Sequence, residues 1–149
     1  MPAMEFFLKF LALLSAGLFA GSAFYITAVE HPARMAAGVS VALQEFRKSY
    51  ARAVPLQILF AAVSFLASAV VWLLTHQWSW ITGGGLTGSV IPFTLAFIMP
   101  TNRLLVDVRS PLKEDAARAL FLKWERLHAV RTFLGLLGFA VLLVRCLDS

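Results

Sequence analysis

Four apolar runs, divided by two basic loops and one short neutral turn, organise this chain. Phe10 to Val29 is a stretch of 20 uncharged residues, Val54 to Thr75 carries no charge, and neither does Gln77 to Asn102. A helix needs about 20 apolar residues to cross the roughly 30 Å hydrocarbon layer of a bilayer, so these three runs can each span unaided. The fourth, Thr132 to Val144, offers only 13 uncharged residues. It spans only if its helix carries His128 and Arg131 to the membrane boundary, where ionisable groups are costly unless they face protein or a wet cavity. The pattern predicts an all-α fold: a four-helix transmembrane bundle forming one integral membrane domain over residues 1–149, with spans near 8–30, 54–75, 78–102 and 127–146.

The long loops carry helical signals of their own. Met35, Val39, Leu43, Phe46, Tyr50 and Val54 recur at steps of three and four, the apolar stripe of an amphipathic helix. The first loop is therefore expected to hold such a helix, with Pro55 near the start of the second span, where proline is tolerated. In the second loop, Ser110 and Pro111 read as cap and first helical residue, and Glu114 and Asp115 suit a helix N-terminus. With no breaker downstream, a single helix from Pro111 to Arg145 is expected, roughly 52 Å long and extending past the bilayer. His31, preceding Pro32, marks a helix end, and Pro100-Thr101-Asn102 closes the third run. Gly83-Gly84-Gly85 and Pro92 are expected to loosen the third helix. Trp78 and Trp80 read as interface anchors. Gly17-x-x-x-Gly21 and Gly135-x-x-Gly138 offer small surfaces for close helix contact.

Composition agrees with membrane residence: 60% of residues are hydrophobic and 14% charged, against about a quarter charged in ordinary soluble domains. The net charge of +5 forms no continuous stripe of the kind that would bind nucleic acid. Instead, ten of the 13 Lys and Arg residues lie in two loops: Arg34, Arg47, Lys48 and Arg52, then Arg103, Arg109, Lys113, Arg118, Lys123 and Arg126. The positive-inside bias puts both loops in the cytoplasm and both termini outside, in an inner membrane of bacterial type. The first apolar run is longer than the core of a signal peptide and is read as a retained helix. The single cysteine, Cys146, excludes an intrachain disulfide.

Candidate chemistry gathers where the runs meet the basic loops. Glu30-His31-Pro32-Ala33-Arg34 closes the first run and Gln57 opens the second. Thr101 and Asn102 close the third, and Trp124, His128 and Arg131 share a face at the entry to the fourth. His31 or His128 can act as a general base near neutral pH, while each can equally satisfy a backbone carbonyl. Arg131 and Arg34 can stabilise an oxyanion, although Arg34 can also snorkel to lipid phosphate. Asn102 and Thr101 supply neutral donors and acceptors, and Glu30 pairs with an arginine or orients a histidine. Two imidazoles and a carboxylate (His31, His128, Glu30) form a legitimate metal set, but no His-x-x-x-His or Glu-x-x-His spacing supports it. No phosphate loop, dinucleotide fingerprint or nucleophile elbow is present.

The His-Pro ending of the first run, Pro100-Thr101-Asn102, and Trp124 through Leu127-His128-x-x-Arg131, in this order, resemble the anthrone oxygenase-like family of small four-helix membrane proteins. The resemblance implies oxidation of an anthrone-type aromatic by molecular oxygen without a bound cofactor. On that reading His128, His31, Arg131 and Asn102 are catalytic, and Glu30, Arg34, Tyr50, Gln57, Thr101 and Trp124 bind substrate, with Phe24 and Phe97 as further walls. The partner is an apolar, quinone-like molecule or a lipid, and association with a second copy of the chain stays open. The competing reading is a non-enzymatic membrane protein that binds lipid or a partner and whose polar cluster fixes the packing of the bundle.

Overall fold

The computed structural model describes residues 2–109 and 111–148. Six α-helices and two π-helical turns follow in sequence: α1 (Pro2–Tyr25), π1 (Ile26–Glu30), α2 (His31–Ala36), α3 (Val39–Thr75), α4 (Trp78–Phe93), π2 (Thr94–Ile98), α5 (Met99–Val106) and α6 (Glu114–Leu147). Joined end to end they make four rods long and apolar enough to cross a membrane: Pro2–Ala36, Val39–Thr75, Trp78–Val106 and Glu114–Leu147. Consecutive rods are neighbours and the fourth closes against the first, so α1, α3, α4 and α6 form a ring in which diagonal pairs hardly touch. The fold is an all-helical four-helix bundle.

Its surface is that of a membrane protein. Phe6, Phe7, Leu14, Leu18, Leu59, Leu66, Leu73, Phe133 and Val144 point outward, whereas Ser15, Gln57, Ser64, Ser68, Thr87, Asn102, His128 and Thr132 are buried. Large apolar side chains left outside and polar ones kept inside are unfavourable in water and natural in lipid. Small residues bring the helices together. At Gly138 an added Cβ would fall 2.4 Å from Thr87 Oγ1 and 2.8 Å from the Gly83 carbonyl, and at Gly84 it would fall 2.4 Å from Ser68 Cβ. Gly83 and Gly84 thus pack α4 tightly on its neighbours, whereas Gly85 faces open space, and α4 runs unbroken through Pro92. Of the other expected pair, a Cβ added at Gly17 would fall 3.2 Å from the Phe139 ring, while one at Gly21 would meet nothing within 4 Å among the described residues.

Two expected helix ends are absent. His31 has helical dihedrals (φ −65°, ψ −47°), and the first rod continues through Pro32 to Ala36. The third likewise passes Pro100 and ends at Val106. In both rods a five-residue π turn stops two residues before the proline. Proline lacks an N–H and its ring collides with the carbonyl four residues earlier, and the wider π turn moves that carbonyl aside. The chain breaks instead at Gly38, whose φ of 102° suits glycine alone.

The amphipathic stretch of the first loop is helical but not separate, because it forms the opening turns of the 37-residue α3, which leaves Pro55 inside that helix rather than at its start. Ala42 and Phe46 from this stretch are buried in the core at the loop end, together with Ile98, Leu105, Phe121 and Trp124, and Val39 is buried as well. Helix α6 starts at Glu114, not at Pro111, after an extended cap residue, Lys113 (ψ 150°); the expected cap Ser110 lies outside the described residues. At the opposite end Trp78 is exposed, while Trp80 is fully buried under the Lys9 ammonium, 5.8 Å from its ring centre. Only one of the two tryptophans is therefore placed as an anchor.

Candidate functional site

A cleft opens at the loop end of the bundle, lined from all four rods. It encloses about 70 Å³, and about 750 Å³ when measured out to its open mouth. Apolar walls come from Ile26, Val54, Ile58, Ile91, Leu95 and Ile98. The cleft reaches the side of the bundle where its lining is exposed, at Ile58 of α3 and Leu95 of π2. Both π turns contribute to the lining, as such turns often do at functional sites.

Eight of the ten sequence-derived site residues line this cleft: Glu30, Arg34, Tyr50, Gln57, Asn102, Trp124, His128 and Arg131. The other two, His31 and Thr101, are buried but are not among its lining residues. The His31 ring lies 5.0 Å from Trp124 and 5.9 Å from Phe121, with a buried Nδ1 that has no partner among the described residues. Phe24 and Phe97, the other expected walls, are exposed on the outside of the bundle.

The inner stripe of α6 consists of Ala117, Phe121, Trp124, His128, Thr132, Gly135, Gly138 and Leu142. His128 stacks on Trp124 one turn earlier, with ring centres 4.4 Å apart. Its Nδ1 lies 3.0 Å from Thr27 Oγ1 and 3.4 Å from Thr132 Oγ1. Its Nε2 has no hydrogen bond among the described residues. Thr27 and Thr132 went unnoticed in the sequence. Thr132 was legible in principle, four residues after His128 on a helix; Thr27 sits inside an apolar run with nothing to mark it.

The two arginines differ in their partners. Arg34 forms ion pairs with Glu30 and, at 2.8 Å, with Glu45, and its guanidinium lies 5.5 Å from the Phe46 ring. Arg131 has no carboxylate partner among the described residues. It donates to Gln57 Oε1 at 2.6 Å and lies 5.1 Å from the Phe19 ring, and its Nε is buried without a partner. The Gln57 amide is oriented from behind, where its Nε2 donates to Ser22 Oγ at 3.4 Å. Asn102 adds a buried carbonyl oxygen with no partner among the described residues, and the Tyr50 hydroxyl donates to Met99 Sδ at 3.6 Å. Arg47 holds α5 in place by donating to the Leu105 and Asp107 carbonyls at 3.1 and 3.0 Å.

Because Glu30 pairs with Arg34, the histidine–carboxylate metal set is not assembled; among the described residues no group of three His, Cys, Asp or Glu converges. The arrangement is instead an imidazole nitrogen and an uncompensated cation in an apolar slot. Residues 46–141 match the sequence profile of anthrone oxygenase. The chain belongs to the anthrone oxygenase family. No curated protein and no solved structure matches it. Within this anthrone oxygenase family member, the matched region holds Tyr50, Gln57, Asn102, Trp124, His128 and Arg131, and leaves Thr27, Glu30, His31 and Arg34 before it.

Proposed function

We propose that the cleft binds a flat, apolar aromatic molecule able to form an oxyanion, and that the protein oxidises such an anthrone-type compound with molecular oxygen. The observation that carries this reading is Arg131, a cation at the cleft whose only polar partner among the described residues is the neutral Gln57. A buried charge without a counter-ion is costly, and an oxyanion on the ligand supplies one. His128 is the base: Nε2 takes a proton from the methylene that lies across the central ring from the carbonyl. The electron pair left behind delocalises through the flanking aromatic rings onto the carbonyl oxygen, which Arg131 and the Asn102 amide N–H stabilise. The carbanion reduces oxygen and forms a C–O bond; His128 returns its proton to give a hydroperoxide. Loss of water then breaks the O–O bond and leaves the second carbonyl, so that anthrone and O₂ become anthraquinone and H₂O.

Ligand pockets commonly measure about 300–1,000 Å³, well above the 70 Å³ enclosed here. The ligand therefore lies in the open mouth between α3 and π2, with its oxygenated edge inward. The distribution of Lys and Arg supports an orientation with the two basic loops and the cleft end on the cytoplasmic side and both chain ends outside. Oxygen uptake by the purified protein in lipid nanodiscs, offered a panel of anthrones, tests the activity. Uptake that is lost in His128→Gln supports it; a folded protein that consumes no oxygen with any of them overturns it in favour of a binding role.

A further inference from the structure

We infer that Thr27 is a positioning residue that holds His128 in the tautomer protonated on Nδ1, leaving the Nε2 lone pair directed at the cleft. The assignment deepens the functional reading above, which needs an unprotonated Nε2, but it rests on a separate count of protons. Thr27 Oγ1 lies 3.0 Å from the Ala23 carbonyl, 3.0 Å from His128 Nδ1 and 2.9 Å from Thr132 Oγ1. Thr132 Oγ1 lies 3.3 Å from the same carbonyl and 3.4 Å from Nδ1.

Each hydroxyl has one proton to give and two lone pairs with which to accept. Thr27 donates to the carbonyl four residues back, the habitual partner of a helical threonine, so its oxygen faces Nδ1 as an acceptor. Thr132 donates to Ala23 or to Thr27. Every proton in the cluster then has an acceptor, with the ring proton on Nδ1 given to the Thr27 oxygen at 3.0 Å. The opposite tautomer leaves the Thr27 oxygen and a bare Nδ1 lone pair facing each other at that distance, with only the longer 3.4 Å contact from Thr132 to supply Nδ1 with a proton, which is the less favourable arrangement. Which ring nitrogen carries the proton is thus set by the bond made at the other. Thr27 belongs to π1, so the wide turn also carries the side chain that orients the imidazole.

Nitrogen-15 NMR of histidine-labelled protein in nanodiscs reads the tautomer directly, with His31→Gln and His76→Gln spectra identifying the His128 signals. In the wild type, Nδ1 is expected to be protonated and Nε2 to resonate as a bare, pyridine-type nitrogen. Thr27→Val, which keeps the shape and removes the hydroxyl, shifts the population toward protonated Nε2, and Thr27→Ser restores it. Wild-type His128 protonated on Nε2, or an unchanged tautomer in Thr27→Val, overturns the assignment. Turnover in Thr27→Val should fall about tenfold or more, with the 10²–10⁴-fold that a general base contributes as the upper limit, and Thr27→Ser should recover most of it. If the tautomer is as assigned while the wild type consumes no oxygen, the functional reading falls and the role of Thr27 in positioning His128 is upheld.

Discussion

Arg131 and Arg34 line one cleft, yet their removal should have opposite signatures. Among the described residues Arg131 pairs with a neutral amide and an aromatic ring and with no carboxylate, so Arg131→Ala is expected to leave the fold in place and to lower turnover by the roughly 2.7–4 kcal/mol typical of a lost oxyanion donor. Arg34 ties Glu30 of π1 to Glu45 of α3. Arg34→Ala strands two carboxylates and should lower thermal stability by about 1–3 kcal/mol, seen as an earlier unfolding midpoint. Activity should fall as pH drops through the titration of the base, because only the neutral imidazole accepts a proton; a pH–rate profile of oxygen uptake checks this. At the rim, the exposed Asp107 carboxylate accepts from the Arg109 backbone N–H at 2.9 Å, which holds its pKa below the usual carboxylate range. Its ordering of the loop is therefore complete above the unfolded pKa and lost as pH falls through the lower folded value, which amide exchange at Arg109 would report.

At the scale of elements, glycine sets how closely the helices approach. Gly138→Ala would drive a methyl group into Thr87 and the Gly83 backbone, and overpacking of that kind costs typically 1–3 kcal/mol; a denaturation series in detergent measures it. The four rods were legible because uncharged length is a strong signal, and the short fourth run correctly turned His128 and Arg131 inward. Their loop-side extensions were legible in part. The period of the stripe from Met35 to Val54 was readable, but not its continuity with the span that follows, since Pro55 looked like a beginning. The prolines after His31 and Met99 looked like endings, because the rule that proline stops a helix omits the π turns that admit it. Eight of the ten expected residues meet at the cleft, His31 and Thr101 do not line it, and the inner partners of the cluster were not legible. Charged and amide groups announce themselves in an apolar run, whereas Thr27, Ser22 and Thr132 do not.

For the whole molecule, orientation and access are the open measurements. Cysteines introduced at positions 48 and 113 should react only with reagents reaching the cytoplasmic face, and labelling from outside would invert the topology. The mouth between Ile58 and Leu95 opens sideways, so Leu95→Trp should raise KM for an anthrone more than it lowers kcat, by partly closing the route from lipid. The two π turns carry a further consequence, for angular phase. A π turn is in effect one residue added to an α-helix, and one residue is about 100° of rotation at 3.6 per turn. In both the first and the third rod, everything beyond the turn is swung by that angle relative to an uninterrupted helix. A single helical wheel drawn through either rod therefore mixes two phases, which is why no wheel would have put Thr27 and His31, or Thr94 and Asn102, in their true relation. Deleting one residue from 94–98 should rotate Asn102 away from the cleft while leaving the far half of the bundle, around Trp80, as it is.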